Sequence, residues 1–420
     1  MNWDLGFNIN ARKDMVVGVD IIPGVFPFER TLTAPSAEYA EARATGELAK
    51  VRMWDGSLAW VATSYDHVRE ILADNRFSAE MATPGYPSLN ETMKRLNAAQ
   101  KPFFIALDPP IHTRLRRMLT AEFAYAKIQA MRPRVTELVN HLTDELLAAS
   151  KPADFYAQFA LPLPSIVITE LLGIPDIDHS FFQSRSNTRI ALGSDPSDSI
   201  RAADEIRAYL TDLVAEKAKA PEKYDDIMGR LIGNYVAKGE MSREECMLTV
   251  DLLLLAGHET TANMATLGML SILETPGVFE TLRADCSRPV LRQTVEEMLR
   301  FHSVLQFVSA RVAKEDVDVA GATIRKGEGV FALVSAANRD PGRFPNPDNF
   351  DITRGMSPHI AFGFGVHQCL GQPLARLELE IAFATLIDRV PTMRLAEPVE
   401  KLKFKKNVLV HALYALPITW

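Results

Sequence analysis

Cysteine is scarce in this 420-residue sequence: Cys246, Cys286 and Cys369 are the only three. They lie far apart, are odd in number and form no CxxC pair, which argues against both a thiolate zinc cluster and a disulfide framework. A reducing cytoplasm fits that usage. Long apolar runs are lacking as well. The N-terminal stretch from Met15 to Pro23 is interrupted by Asp20 and Pro23, too short and broken to span a bilayer and without the layout of a signal peptide. No block of like charge stands out, and the formal net charge is -7, a balance that argues against a nucleic-acid binder. Internal repeats, low-complexity tracts and linkers are absent too. What remains is a chain 47% hydrophobic and 24% charged, long enough for a large core and expected to form one domain over 1–420.

Helical periodicity dominates the middle of the chain. It predicts helices over 36–47, 111–123, 126–149, 163–172, 199–218 and 225–237, punctuated by Pro and Gly. Asp55-Gly56 between two β-prone runs predicts a hairpin over 51–62. Residues 304–335 and 402–420 read as extended. Residues 79–107 read as irregular, and a loop of that length inside a domain is usually functional. The expectation is a mainly α protein with small β-sheets near both ends.

The chain is organised around Cys369. Gly363, Gly365 and Gly371 crowd around it, and a helix with Pro373 in its first turn follows directly. A lone cysteine can be merely a small buried hydrophobe. Here the thiol lies just before a helix N-terminus, whose free N–H groups and partial charge favour a thiolate. A fixed thiolate on a glycine platform suits an axial ligand to a metal or haem iron.

Upstream, a helix is expected from Ser242 to Glu274, opened by a Ser242/Glu245 capping box. Its apolar run Leu252 to Leu255 marks it as buried. In its middle stand Ala256, Gly257, Glu259, Thr260 and Thr261, and buried acids and hydroxyls are costly unless paired. One reading is a groove for a small ligand, with a hydroxyl and an acid to handle protons. The other is a solvated kink, or a threonine bonding back to its own helix. Glu297 and Arg300 share a helix face and would form a structural lock if buried. His112 and Arg116 share another face. With Arg311 and His367 they could converge on a dianionic ligand, although each alone reads as a surface charge.

Together these residues resemble the cytochrome P450 family. Phe362, Gly365, His367, Cys369 and Gly371 match its ligand motif. Ala256, Gly257, Glu259, Thr260 and Thr261 match its oxygen-groove motif, and Glu297 and Arg300 its Glu-x-x-Arg motif. Order and spacing agree over roughly residues 25 to 420. The run 55–60 and the segment Ala256 to Met264 look like a bacterial subgroup related to the fungal nitric oxide reductase.

The resemblance implies a triangular, mainly helical fold, with haem b between the long central helix and the Cys369 loop. It implies Cys369 as iron ligand, propionate contacts from His112, Arg116, Arg311 and His367, and haem contacts from Phe362, Gly363 and Ala256. It implies Thr260 and Glu259 as catalytic groups. The expected activity is a cytoplasmic, monomeric monooxygenase that uses O2 on a hydrophobic small molecule, with electrons from ferredoxin and ferredoxin reductase. Arg114, Arg117 and Arg376 are the candidate ferredoxin surface. Candidate pocket linings are parts of 79–105, 180–195, the face of Leu253 to Thr260, Val304 to Val308 and Val408 to Val410, with Phe103, Phe104 and Phe307 as the aromatic candidates. An NADH-fed nitric oxide reductase and a non-catalytic haem-thiolate sensor are the alternatives. One departure is that Asn349 stands where the family often has an Arg beside the Glu-x-x-Arg pair. Arg343 or Arg354 would have to substitute.

Overall fold

The computed structural model describes residues 15–16, 19–175, 179–190, 195–307, 309–356, 358–406 and 408–420. Its axis is one 32-residue helix, Arg243–Glu274. The capping box is formed as the sequence predicts: Glu245 N–H donates to Ser242 Oγ at 3.0 Å, and Ser242 N–H to the Glu245 carboxylate at 2.8 Å. Thr275-Pro276 ends it, because the residue before a proline disfavours the helical region. Around this helix pack Pro162–Leu172, Pro196–Lys217, Arg288–His302 and a π-turn at Tyr156–Ala160. Gly257 is required by this packing. A Cβ there would lie 2.7 Å from Ile168 Cγ1 of the Pro162–Leu172 helix, so the glycine permits the close approach of these two helices.

The largest sheet lies beside the helical body. Ala49–Arg52 and Leu58–Ala62 form the predicted hairpin, with Val51 opposite Ala59. Leu58–Ala62 then pairs in parallel with Gly329–Ala332, which pairs antiparallel with Ala310–Ala313. The C-terminal strand Pro417–Thr419 joins Ala153–Asp154 and Arg394–Leu395 in a small sheet. The expected mainly α fold with small sheets is therefore observed.

Two expectations shift. The helix expected over 126–149 is two, Tyr125–Ala130 and Arg132–Ala148. Pro133 has no N–H to continue the first helix and suits the opening turn of the second. The irregular stretch 79–107 contains a helix, Glu91–Ala99, capped by the Asn90 side chain on Met93 N–H at 2.8 Å. None of its residues is buried, so no apolar period marked it. Among the described residues no helix is long and apolar enough to cross a membrane.

Candidate haem-thiolate site

The loop before the helix Gln372–Arg389 is shaped by two left-handed glycines, Gly363 at φ +74° and Gly365 at φ +75°. A Cβ on Gly365 would lie 2.3 Å from the Leu72 carbonyl oxygen. The loop therefore presses on the helix Tyr65–Ala73 as only glycine permits. Cys369 N–H donates to the Phe362 carbonyl at 2.8 Å, which closes the loop. Cys369 is exposed by area, yet protein packed around its sulfur desolvates the thiol. Burial pushes this thiol above its ordinary pKa. The N–H groups of Gly371 and Gln372 and the guanidiniums of Arg116 and Arg376 pull it down without winning. The helix-terminal N–H groups thus act in the thiolate's favour, while burial of the sulfur opposes it. A cation bonded to sulfur would complete the task.

Beside this loop, two histidines and two arginines gather. The His112 and His367 rings stand 4.1 Å apart between centroids. Both ring nitrogens of His112, and Nδ1 of His367, have no hydrogen-bond partner. Arg311 is 7% exposed, and its one hydrogen bond among the described residues goes to the neighbouring Ala310 carbonyl. Burial and then Arg116 push His112 down to about 4; burial, Arg311 and His112 push His367 down to about 3. Both rings are therefore neutral, and the charge here is that of Arg311 and Arg116; the nearby Asp108 is already engaged, accepting from Ala79 N–H at 3.0 Å and from Lys314 at 3.3 Å. Unspent N–H donors, excess positive charge and a desolvated thiol fit haem with its two carboxylates. Tyr86 belongs to the same cluster, its hydroxyl pushed up to about 12 by burial despite Arg311. No motif pointed to it. Arg116 instead donates to the Gln368 carbonyl at 2.6 Å and so holds the ligand loop.

On the central helix, Ala256 is exposed and Thr260 half-buried, although the residues flanking them along the helix are mostly buried. The Thr260 hydroxyl donates to the Ala256 carbonyl at 3.0 Å, the back-bonded arrangement that the sequence left open. Its oxygen still has acceptor capacity. Glu259 is 2% exposed. Asn263 Nδ2 donates to its Oε2 at 2.8 Å, and the Tyr156 hydroxyl lies 3.4 Å from Oε1. Sequence reasoning missed both partners. Asn263, four residues on, was legible from helical spacing; Tyr156, a hundred residues away, was not.

Glu297 and Arg300 form the buried lock. Arg300 is fully buried, donates twice to Glu297 at 2.7 Å and also reaches the Asn338, Pro347 and Asn349 carbonyls. Arg354 takes the third place, 3.3 Å from Glu297, while Arg343 lies over the Tyr65 ring. Of the pocket candidates, Phe307 packs edge-on against Phe26 at 5.2 Å, and Phe104 sits in the core beside His112. Arg189 and Arg207 both stand over Phe103 and both pair with Asp251, fully buried in the central helix. Val308 and residues 191–194 lie outside the described residues.

Comparison with known proteins gives concordant results. Residues 174–412 match the family model for cytochrome P450. The chain is 43% identical to a vitamin D3 dihydroxylase of Streptomyces griseolus, over 91% of this chain and 93% of that one. It is 40% identical to pentalenic acid synthase of Streptomyces avermitilis, over 95% and 98%. The crystal structure of a mycinamicin VIII C21 methyl hydroxylase from Micromonospora griseorubida superposes with a TM-score of 0.89 at 36% identity, covering 94% of this chain and all of that one, 100%.

Proposed function

The chain belongs to the cytochrome P450 family, and from that premise we propose which residues serve it, what it oxidises and how it is reduced. Its members' activity is monooxygenation, and they bind haem through a cysteine thiolate. Cys369 is the ligand in this reading, and His112, His367 and Arg311 hold the propionates. Phe362, Gly363 and Ala256 border the ring. The observation that carries this assignment is the set of unpartnered, desolvated His112 and His367 nitrogens beside the Cys369 loop.

Haem, when bound, supplies the activation of O2 and the oxidation of a substrate C–H bond. The chain's residues supply position and protons. Thr260, anchored on the Ala256 carbonyl, presents a fixed hydroxyl oxygen to the groove. Glu259 moves protons; Asn263 Nδ2 fixes its Oε2, and the Tyr156 hydroxyl lies 3.4 and 3.5 Å from its two oxygens. Arg116 and the Gly371 and Gln372 amides steady the sulfur from behind.

The substrate is a medium-sized hydrophobic molecule. The relatives' names refer to molecules as unlike as vitamin D3, pentalenic acid and mycinamicin VIII, which supports the broad class and no single compound. A spin-state titration with a panel of apolar compounds tests it. Saturable shifts with some of them are expected, and a panel without effect counts against a hydrophobic pocket.

Electrons come from a ferredoxin. Of the three arginines expected to receive it, two are already paired: Arg114 with Glu245, and Arg376 with Glu296 at 2.5 Å. Arg117 is exposed and has no ion pair among the described residues. It borders a surface cleft of about 450 Å³ lined also by Pro109, Pro110, Thr113 and Tyr235. Arg117→Glu should slow reduction by ferredoxin in a salt-dependent manner. A reduction rate indifferent to that change removes this surface from the reading.

A further inference from the structure

Arg376 stands one turn into the helix Gln372–Arg389, and its side chain lies against the ligand loop. Three contacts hold its guanidinium there. Nη1 donates to the Gln372 side-chain oxygen at 2.9 Å, and the group lies 4.6 Å from the centre of the Phe362 ring. Nε and Nη2 fork onto the Glu296 carboxylate at 2.5 and 2.9 Å. Two of these neighbours also hold the thiol. The Phe362 carbonyl accepts from Cys369 N–H at 2.8 Å, and the Gln372 amide acts on the sulfur. Arg376 itself is among the groups that favour the thiolate, after the Gly371 amide, Arg116 and the Gln372 amide. The two arginines differ in one respect. Arg116 donates to the Gln368 carbonyl and has no carboxylate partner among the described residues, whereas Arg376 is paired with an acid. That acid is 6% exposed and belongs to another helix, Arg288–His302. Its other partner is His359 Nε2 at 2.9 Å. His359 Nδ1 accepts from Ala361 N–H at 3.2 Å, so the ring proton sits on Nε2 and this ring adds no charge to the pair.

We propose, on the reading that Cys369 ligates the iron, that Glu296, acting through Arg376, sets the reduction potential of the bound haem. Reduction adds one negative charge to the haem–thiolate unit. A cation beside the sulfur therefore favours the reduced form, and a carboxylate behind that cation offsets part of its field. The sulfur is desolvated, so little water screens the interaction. The fork from Glu296 also fixes where the guanidinium stands, because both of its bonds run to one planar carboxylate. Glu296 is thus a positioning residue: it touches neither the sulfur nor the loop glycines, and its effect reaches Cys369 by way of Arg376, Phe362 and Gln372.

The test is a spectroelectrochemical titration of the haem-loaded protein and four variants, each also examined for the carbon-monoxide band of thiolate ligation. Glu296→Gln removes the countercharge but keeps an acceptor for Arg376, whose other two anchors remain. Its potential should move positive, with the reduced form favoured about tenfold at a fixed applied potential. Arg376→Gln should move the potential negative by a similar factor. The double variant should fall between the two single ones, and Glu296→Asp should stay close to wild type. Should Arg376→Gln not retain haem, the sign found for Glu296→Gln decides alone. A strap that is merely structural would leave the potential unmoved or shift both single variants the same way. Either result, with the thiolate band intact, overturns the proposal and leaves Cys369 as the ligand. A wild type without that band overturns both.

Discussion

The Tyr156 hydroxyl lies 3.4 Å from Glu259 Oε1, a contact between the π-turn Tyr156–Ala160 and the middle of the central helix. Burial, reinforced by Glu259, keeps the phenol protonated well above its ordinary range, so it can only donate toward the carboxylate. Tyr156 therefore acts as a positioning residue for the proposed proton carrier. Glu259→Gln should cut product formation by about 10²-fold while electron consumption continues. Tyr156→Phe should give a smaller loss of coupling together with an altered solvent isotope effect. A Tyr156→Phe enzyme with wild-type isotope effect and coupling would assign the residue to packing alone.

The ligand loop gives a contrast between two glycines of equal backbone geometry. Gly363→Ala meets no atom within 4 Å and carries only left-handed strain, about 1–2 kcal/mol. Gly365→Ala adds a collision with the Leu72 carbonyl. Haem retention after gel filtration should fall modestly for the first and severely for the second. Equal losses would mean that strain, not the contact with helix Tyr65–Ala73, governs the loop.

Arg300 and Arg354 share Glu297 unequally. Arg300→Leu removes both short hydrogen bonds to the buried Glu297, which keeps only Arg354 and the Asp351 N–H, and strips the Asn338 and Pro347 carbonyls of their Arg300 donor, a change expected to cost about 3–5 kcal/mol. Arg354→Gln removes a longer contact at the edge, expected near 1 kcal/mol. Denaturant midpoints check the order, and a reversal would place the lock at Arg354.

Glu296 links two helices and the pre-ligand segment. Burial opposes its ionisation, but hydrogen bonds from His359 at 2.9 Å and Arg376 at 2.5 Å hold it down to about 2. An unfolded glutamate titrates near 4.3. The folded-state value is depressed, so the stabilisation is present above about pH 4.3 and disappears as pH falls toward 2. The stability gap between wild type and Glu296→Gln should therefore hold above about pH 5 and narrow as pH falls from about 4.3 toward 2, as read from denaturant midpoints. A constant gap would refute the assignment of charge to this site.

Several features were legible because they are local. The capping box, the Asp55-Gly56 hairpin and the Cys369 loop each depend on residues a few positions apart. Gly257 was legible as an anomaly, but its contact with Ile168 on another helix was not. Tyr86, Tyr156 and the Arg189–Asp251–Arg207 clamp were not legible at all. Their partners are brought together only by the fold, and neither period nor spacing marks them. The helix Glu91–Ala99 was hidden for a different reason: it buries no residue.

The central claim is that Cys369, and neither of the other two cysteines, binds haem iron as a thiolate. Burial raises all three thiols; Cys369 alone has opposing groups, the Gly371 and Gln372 amides with Arg116 and Arg376, and among the described residues nothing of the kind acts on Cys246 or Cys286. The direct measurement is the carbon-monoxide difference spectrum of the reduced protein beside its three single Cys→Ser variants. Wild type, Cys246→Ser and Cys286→Ser should all show the band of thiolate-ligated ferrous–carbonyl haem, and Cys369→Ser should lose it. A thiolate band that survives in Cys369→Ser, or vanishes in either of the others, would contradict the account.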